Sequence, residues 1–125
     1  MEELKILIVD DSGVVRKIIE SLIRDFKLNV VGTASNGREA LEIFKIFKPE
    51  IVTLDITMPE MDGLECLTRM KQIHPESKVI VISALKDKET AMRAIKLGAS
   101  SFIPKPFIGD DLKLEIKALI EEIIN

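Results

Sequence analysis

The chain has no tryptophan and no tyrosine, and only one cysteine and one histidine in 125 residues. Cys66, standing alone, cannot close an internal disulfide, so nothing points to an oxidising compartment. His74 stands before Pro75 and reads as a surface residue at the C-terminal end of a helix. With one histidine and one cysteine there is no Ser-His-Asp arrangement and no soft-ligand metal cluster. No apolar run approaches the roughly 20 residues that cross a bilayer. The acidic start Met1-Glu2-Glu3 lacks the pattern of a signal peptide, so the expected location is the cytoplasm. Neither a Gly-x-x-x-x-Gly-Lys-[Ser/Thr] loop nor a Gly-x-Gly-x-x-Gly stretch occurs, so a nucleotide site is not indicated. Basic residues are not in excess either: 18 Lys and Arg face 21 Asp and Glu, for a net charge of -3. They are also scattered, which argues against nucleic acid as a partner, because phosphate neutralisation needs a clustered basic face.

What is present is enough apolar material for a core: 46% of residues are hydrophobic and 31% are charged. Short β-rich runs occur at Leu4–Val9, Asn29–Ala34, Ile51–Leu54, Lys78–Ile82 and Ser101–Ile103. The first, third and fourth are nearly continuous in apolarity, as strands covered on both faces of a parallel sheet are. The second has polar flanks and is expected at the sheet edge. Between and after these runs, apolar residues recur at helical spacing. Val14, Val15, Ile18, Ile19, Leu22, Ile23 and Phe26 form one stripe, with Gly13 in its first turn. Asn36-Gly37 turns the chain into a second, through Ala40, Leu41, Phe44 and Phe47, which Pro49 ends. Leu64, Leu67, Met70 and Ile73 line a third, and a fourth spans about Glu89–Leu97 with Gly98 beyond it. Leu112, Ile116, Leu119, Ile120 and Ile123 face the core from a fifth. Five strands alternating with five helices imply βαβ units with right-handed crossovers, the α/β class. No repeat or linker divides the chain.

The apolar runs end on polar groups: Asp10 and Asp11, then Asp55, then Ser83, then Lys105. In an open α/β sheet the crevice outside the carboxyl ends of the strands is where ligands bind. Adjacent strands lie about 4.8 Å apart, so these groups can converge. Three carboxylates in one crevice repel one another unless one takes a proton or a cation binds. Hard oxygen ligands suit Mg²⁺. With a lysine and a hydroxyl nearby, the composite is a small site for a phosphoryl group. Taken singly, each residue has a plainer reading. Asp10 or Asp11 can cap a helix, Ser83 can end a strand, Lys105 can be solvated, and Phe102 can be core. Cys66 reads as a small helix residue rather than a nucleophile.

The stretches Ile8-Val9-Asp10-Asp11-Ser12, Asp55-Ile56-Thr57-Met58-Pro59-Glu60-Met61-Asp62-Gly63, Ser83-Ala84 and Lys105-Pro106-Phe107, in this order, carry a resemblance. The sequence resembles the receiver domains of two-component response regulators over essentially its whole length, and within them the stand-alone chemotaxis regulators. The resemblance implies a single receiver domain over residues 1–125. Its fold would be doubly wound and flavodoxin-like, (βα)5, with a five-stranded parallel sheet in the order 2-1-3-4-5. Asp55 would be the phosphoacceptor. Asp11, Asp55 and the backbone carbonyl of Thr57 would hold Mg²⁺, with Asp10 acting through a water. Lys105 would pair with Asp55 and then with the phosphoryl oxygens. Ser83 would bond the phosphoryl group, and Phe102 would turn inward as the switch aromatic, standing where many members have tyrosine. The Lys105-Pro106 bond is expected cis. Thr57 and Leu85 occupy positions that tune self-hydrolysis. Glu60 and Asp62 are read as loop charges with a kinase contact.

The implied function is a phosphorylation-activated switch rather than an enzyme acting on a separate substrate. Its partners would be a sensor histidine kinase of the chemotaxis type, a phosphatase, and a protein target such as the flagellar motor switch. It would insert into no membrane and work as a monomer. The output face would include Lys88, Ala91, Ile95, Phe102, Ile103 and Lys117. Alternatives are a phosphorelay intermediate, the receiver half of a larger regulator such as a chemotaxis methylesterase, and a Mg²⁺-dependent phosphatase on the same fold.

Overall fold

In the computed structural model, residues 3–58, 61–85 and 87–125 are described. Pro59 and Glu60, the latter read above as a loop charge, lie outside them, as does Lys86 of the connection before the fourth helix. The strands are β1 (Leu4–Val9), β2 (Leu28–Ala34), β3 (Ile51–Leu54), β4 (Lys78–Ser83) and β5 (Ser101–Pro104). The helices are α1 (Gly13–Leu22), α2 (Gly37–Phe47), α3 (Gly63–Ile73), α4 (Lys88–Lys96) and α5 (Gly109–Ile124). All strand pairs are parallel, in the order β2-β1-β3-β4-β5, which is the expected doubly wound α/β fold.

The alternation of side chains along a strand explains why the central runs are apolar throughout. Leu7, Val9, Val52, Leu54, Val79 and Val81 face one layer, closed by Ala40, Leu41 and Phe44 of α2, Leu67 and Met70 of α3, and Ala94 of α4. Ile6, Ile8, Ile51, Ile80 and Ile82 face the other, closed by Ile19 of α1 and Leu112, Ile116 and Leu119 of α5. β2 is an edge strand, with Asn29, Val30 and Thr33 exposed, as its polar flanks predicted.

The first helix differs from its predicted stripe. Regular α-helix stops at Leu22 and continues as a single 3-10 turn over Ile23–Asp25. Val14 is 69% exposed and Ile18 is 46% exposed, so the buried stripe is the narrower one through Val15, Ile19, Leu22 and Ile23. Periodicity marks which residues share a face, but not how wide a strip of that face the sheet covers. The cap is also Ser12, not Asp10 or Asp11: its hydroxyl accepts the Val15 N–H at 3.2 Å. At the end of α2, Phe47 is 41% exposed rather than core, and the helix closes there through Lys48 in a left-handed conformation. His74 caps the C-terminus of α3, and its ring lies against that of Phe44.

Candidate functional site

The backbone ladders run one residue past the strands and thereby aim the polar groups. Asp10 N–H donates to Ala34 O at 3.0 Å, Asp55 N–H to Val9 O at 2.9 Å, and Lys105 N–H to Ser83 O at 2.8 Å. Asp10, Asp55 and Lys105 are thus the first residues beyond their strands, all at the carboxyl end of the sheet. The sheet order places β1 beside β3, then β4, then β5. Side chains from the ends of β1, β3 and β5 therefore meet in one crevice, and β4, which ends on Ser83, lies between β3 and β5.

Asp10 and Asp55 are almost fully buried, at 1% and 2% exposure, while Asp11 is exposed. Their carboxylates and that of Asp11 present oxygens within 4.8 Å of one another. Burying carboxylates is costly unless charge and hydrogen bonds compensate. Compensation comes from Lys105, whose Nζ donates to Asp10 Oδ2 at 2.8 Å and to Asp55 Oδ2 at 3.5 Å. The expected pairing with Asp55 is present, and the shorter bond goes to Asp10. Burial pulls the Lys105 ammonium down, but the Asp10 hydrogen bond and the Asp55 and Asp10 charges outweigh it. Its pKa therefore lies above the ordinary lysine value. One lysine against three carboxylates leaves negative charge for a cation, and the all-oxygen donor set fits Mg²⁺.

Each remaining oxygen is oriented locally. Asp10 Oδ1 accepts the Ser12 N–H at 2.9 Å. Asp55 Oδ1 accepts both the Thr57 N–H at 2.9 Å and the Thr57 hydroxyl at 2.8 Å. The Thr57 side chain was not expected to touch Asp55. A threonine two residues after a strand-ending aspartate is the available signal, since such pairs close tight side-chain-to-backbone turns. Ser83 is fully buried, and its Oγ accepts the Leu85 N–H at 3.0 Å. Phe102 is half-buried, opposite Val81 in the β4–β5 register, and packs on the layer beneath α2, α3 and α4. The Lys105-Pro106 peptide is cis, as expected.

Arg16, off the apolar stripe of α1, is a further neighbour of the site. Its Nη1 donates to Asp10 O at 2.6 Å. Asp62 acts as the N-cap of α3, accepting the Leu64 N–H at 3.0 Å. Cys66 is fully buried in α3, and burial pushes its thiol up to about 12, which keeps it in the thiol form at neutral pH.

Among the described residues, no helix is long and apolar enough to cross a membrane. The chain is similar to the chemotaxis protein CheY of Thermotoga maritima, with 46% identity over 103 residues, 82% of this chain and 86% of that protein. It is also similar to a protein-glutamate methylesterase/protein-glutamine glutaminase of Halalkalibacterium halodurans, with 44% identity over 98% of this chain but only 36% of that protein. Its fold matches a chain of the CheX-CheY-BeF3-Mg²⁺ complex from Borrelia burgdorferi. There the TM-score is 0.85 and the identity 32%, covering 99% of this chain and 91% of that one. The family model described as response regulator receiver domain matches residues 6–117, from within β1 into α5. The chain belongs to the response regulator receiver domains of two-component systems.

Proposed function

We propose that this receiver is a phosphorylation-activated switch of chemotaxis. It would take a phosphoryl group on Asp55 from the histidine of a sensor kinase and pass the signal to a protein target. The observation that carries this reading is the gathering of the Asp10, Asp11 and Asp55 oxygens within 4.8 Å, with the Lys105 ammonium 3.5 Å from Asp55. In the transfer, an Asp55 oxygen attacks phosphorus. The new P–O bond forms as the P–N bond to imidazole breaks, and the leaving electron pair stays on the imidazole nitrogen. Such a reaction needs positioning and charge stabilisation more than covalent help. Thr57 engages Oδ1 twice, leaving Oδ2, on the Lys105 side, for the attack.

Asp11, Asp55 and the Thr57 carbonyl would hold Mg²⁺ with Asp10 behind a water, and the bound ion supplies positive charge that lets carboxylate and phosphoryl group approach. After transfer, Lys105 meets the phosphoryl oxygens, and the Ser83 hydroxyl proton turns toward them. Movement of Ser83 and its loop lets Phe102 take the inward position. The phosphoryl group shifts the population only by its differential affinity for the two arrangements.

The chemotaxis reading draws on the CheY relatives, and with it come a cytoplasmic location, a chemotaxis kinase and the flagellar motor switch as target. The surface for that target would centre on α4. Lys88, Ala91, Met92, Ile95 and Lys96 line a groove of about 340 Å³, with Met92 51% and Ile95 49% exposed. Ile103, expected on this face, is partly buried against the layer beneath α1 and α5.

The test is intact mass after incubation with a small phosphodonor, with and without Mg²⁺, on wild type and Asp55→Asn. One phosphoryl group, dependent on Mg²⁺, labile to hydroxylamine and absent in Asp55→Asn, is the expected result. No modification, even by a cognate kinase, would overturn the reading. A second reading, the receiver unit of a methylesterase, is favoured by the match to 98% of this chain within the Halalkalibacterium protein. The size of the native gene product separates it from a stand-alone domain over residues 1–125.

A further inference from the structure

Arg16 makes a contact that the phosphoryl chemistry does not use. It lies one turn into α1, half-buried, and its Nη1 reaches back to Asp10 O at 2.6 Å. That carbonyl belongs to the peptide joining Asp10 to Asp11. Around it Asp10 is tied on every side: its N–H to Ala34 O, its Oδ1 to the Ser12 N–H, and its Oδ2 to Lys105. Asp11 is the opposite case. Its side chain is exposed, and no hydrogen bond or ion pair to another described residue holds its carboxylate. Yet its oxygens lie within the 4.8 Å cluster. Among the described residues its direction is therefore set by the backbone, and the side chain that grips the preceding carbonyl is Arg16. A planar guanidinium makes a strong, directional, charge-assisted bond that resists rotation of that peptide.

We propose that Arg16 is a positioning residue for the metal site: it fixes the Asp10–Asp11 peptide and thereby the direction in which Asp11 offers its carboxylate. This rests on the reading of the three carboxylates as a Mg²⁺ site. Charge alone acts with the opposite sign. A guanidinium beside the crevice repels a cation, so removing it would tighten Mg²⁺ by electrostatics and weaken it by lost positioning. The sign of the effect therefore separates the two roles.

The experiment is a Mg²⁺ titration of wild type, Arg16→Met, Arg16→Ala and Arg16→Lys, followed through backbone amide shifts at Asp10, Asp11 and Asp55, with urea unfolding of each. Arg16→Met keeps the stem packing, and Arg16→Ala supplies a strong helix former should the first not fold. The expected result is about tenfold weaker Mg²⁺ binding in the neutral variants, the scale of lost outer-shell support, with Arg16→Lys restoring most of it. A residue that merely stabilised α1 would lower the urea midpoint and leave Mg²⁺ affinity unchanged, which overturns the proposal. Equal or tighter binding in folded neutral variants overturns it as well. Wild type that binds no Mg²⁺ removes the metal-site reading and the proposal with it.

Discussion

Lys105 is bonded first to Asp10, at 2.8 Å, and only second to Asp55, at 3.5 Å. The lysine thus steadies the carboxylate that is not expected to accept a phosphoryl group, while standing within reach of the one that is. Replacing it by methionine leaves two buried carboxylates without their cation. The expected outcome for Lys105→Met is a loss of about 2 kcal/mol in urea unfolding without Mg²⁺, the scale of a charged hydrogen bond. Added Mg²⁺ is expected to recover part of it. The pH dependence has a definite sign. The folded ammonium holds its proton more tightly than an ordinary lysine of pKa 10.5. Its contribution is complete below that value and is lost as pH rises through the higher folded value. Wild type and Lys105→Met stabilities should therefore converge only in strongly alkaline solution, which urea midpoints against pH will read.

Gly63 and Gly13 begin two helices under opposite conditions. A Cβ on Gly63 would lie 2.1 Å from Ile56 Cα, on backbone that cannot yield. A Cβ on Gly13 would meet only the Arg16 guanidinium, at 3.4 Å. Gly63→Ala is expected to cost more than about 4 kcal/mol or to prevent folding. Gly13→Ala is expected to stabilise by about 0.5 kcal/mol. Urea unfolding of the pair checks both.

Thr53 carries a buried hydroxyl with no partner among the described residues, on β3 between Ile8 of β1 and Ile80 of β4. A buried hydroxyl without a bond loses hydration and gains nothing. Thr53→Val removes the hydroxyl at nearly constant shape. The expected outcome is a gain of about 1 kcal/mol in urea unfolding.

Cys66 is fully buried on the inner side of α3, with its thiol pushed up to about 12. A thiol reagent is expected to leave the native protein unmodified through pH 9 and to label it stoichiometrically in denaturant, read by intact mass. Cys66→Ser would put a hydroxyl in a largely apolar layer, with Gly37 O, 3.9 Å from Cys66 Sγ, as a distant acceptor, at a cost of about 2 kcal/mol.

The amino-acid sequence alone determined the elements and their order. Ile51–Leu54 and Leu4–Val9 read as strands buried on both faces, because apolar residues occupy both faces of each short, β-rich run. Pro49, Gly98 and the Asn36-Gly37 turn punctuate the chain where the backbone demands them. The strand-ending carboxylates, serine and lysine were legible as a set: each has a plainer reading alone, but polar groups recurring at the carboxyl ends of successive strands mark the crevice where an α/β sheet binds ligands. Tertiary structure alone decided what each group touches. How much of the α1 stripe is covered depends on where the sheet and α5 end, so Val14 and Ile18 stay in solvent although their spacing matches that of Ile19. The cap on α1 fell to Ser12 because the helix begins at Gly13, one residue after it, while Asp10 turns its carboxylate to the Ser12 N–H and to Lys105, a partner 95 positions away. The grip of Arg16 on Asp10 leaves no trace in the pattern of side chains, because its acceptor is a backbone carbonyl, and every residue has one.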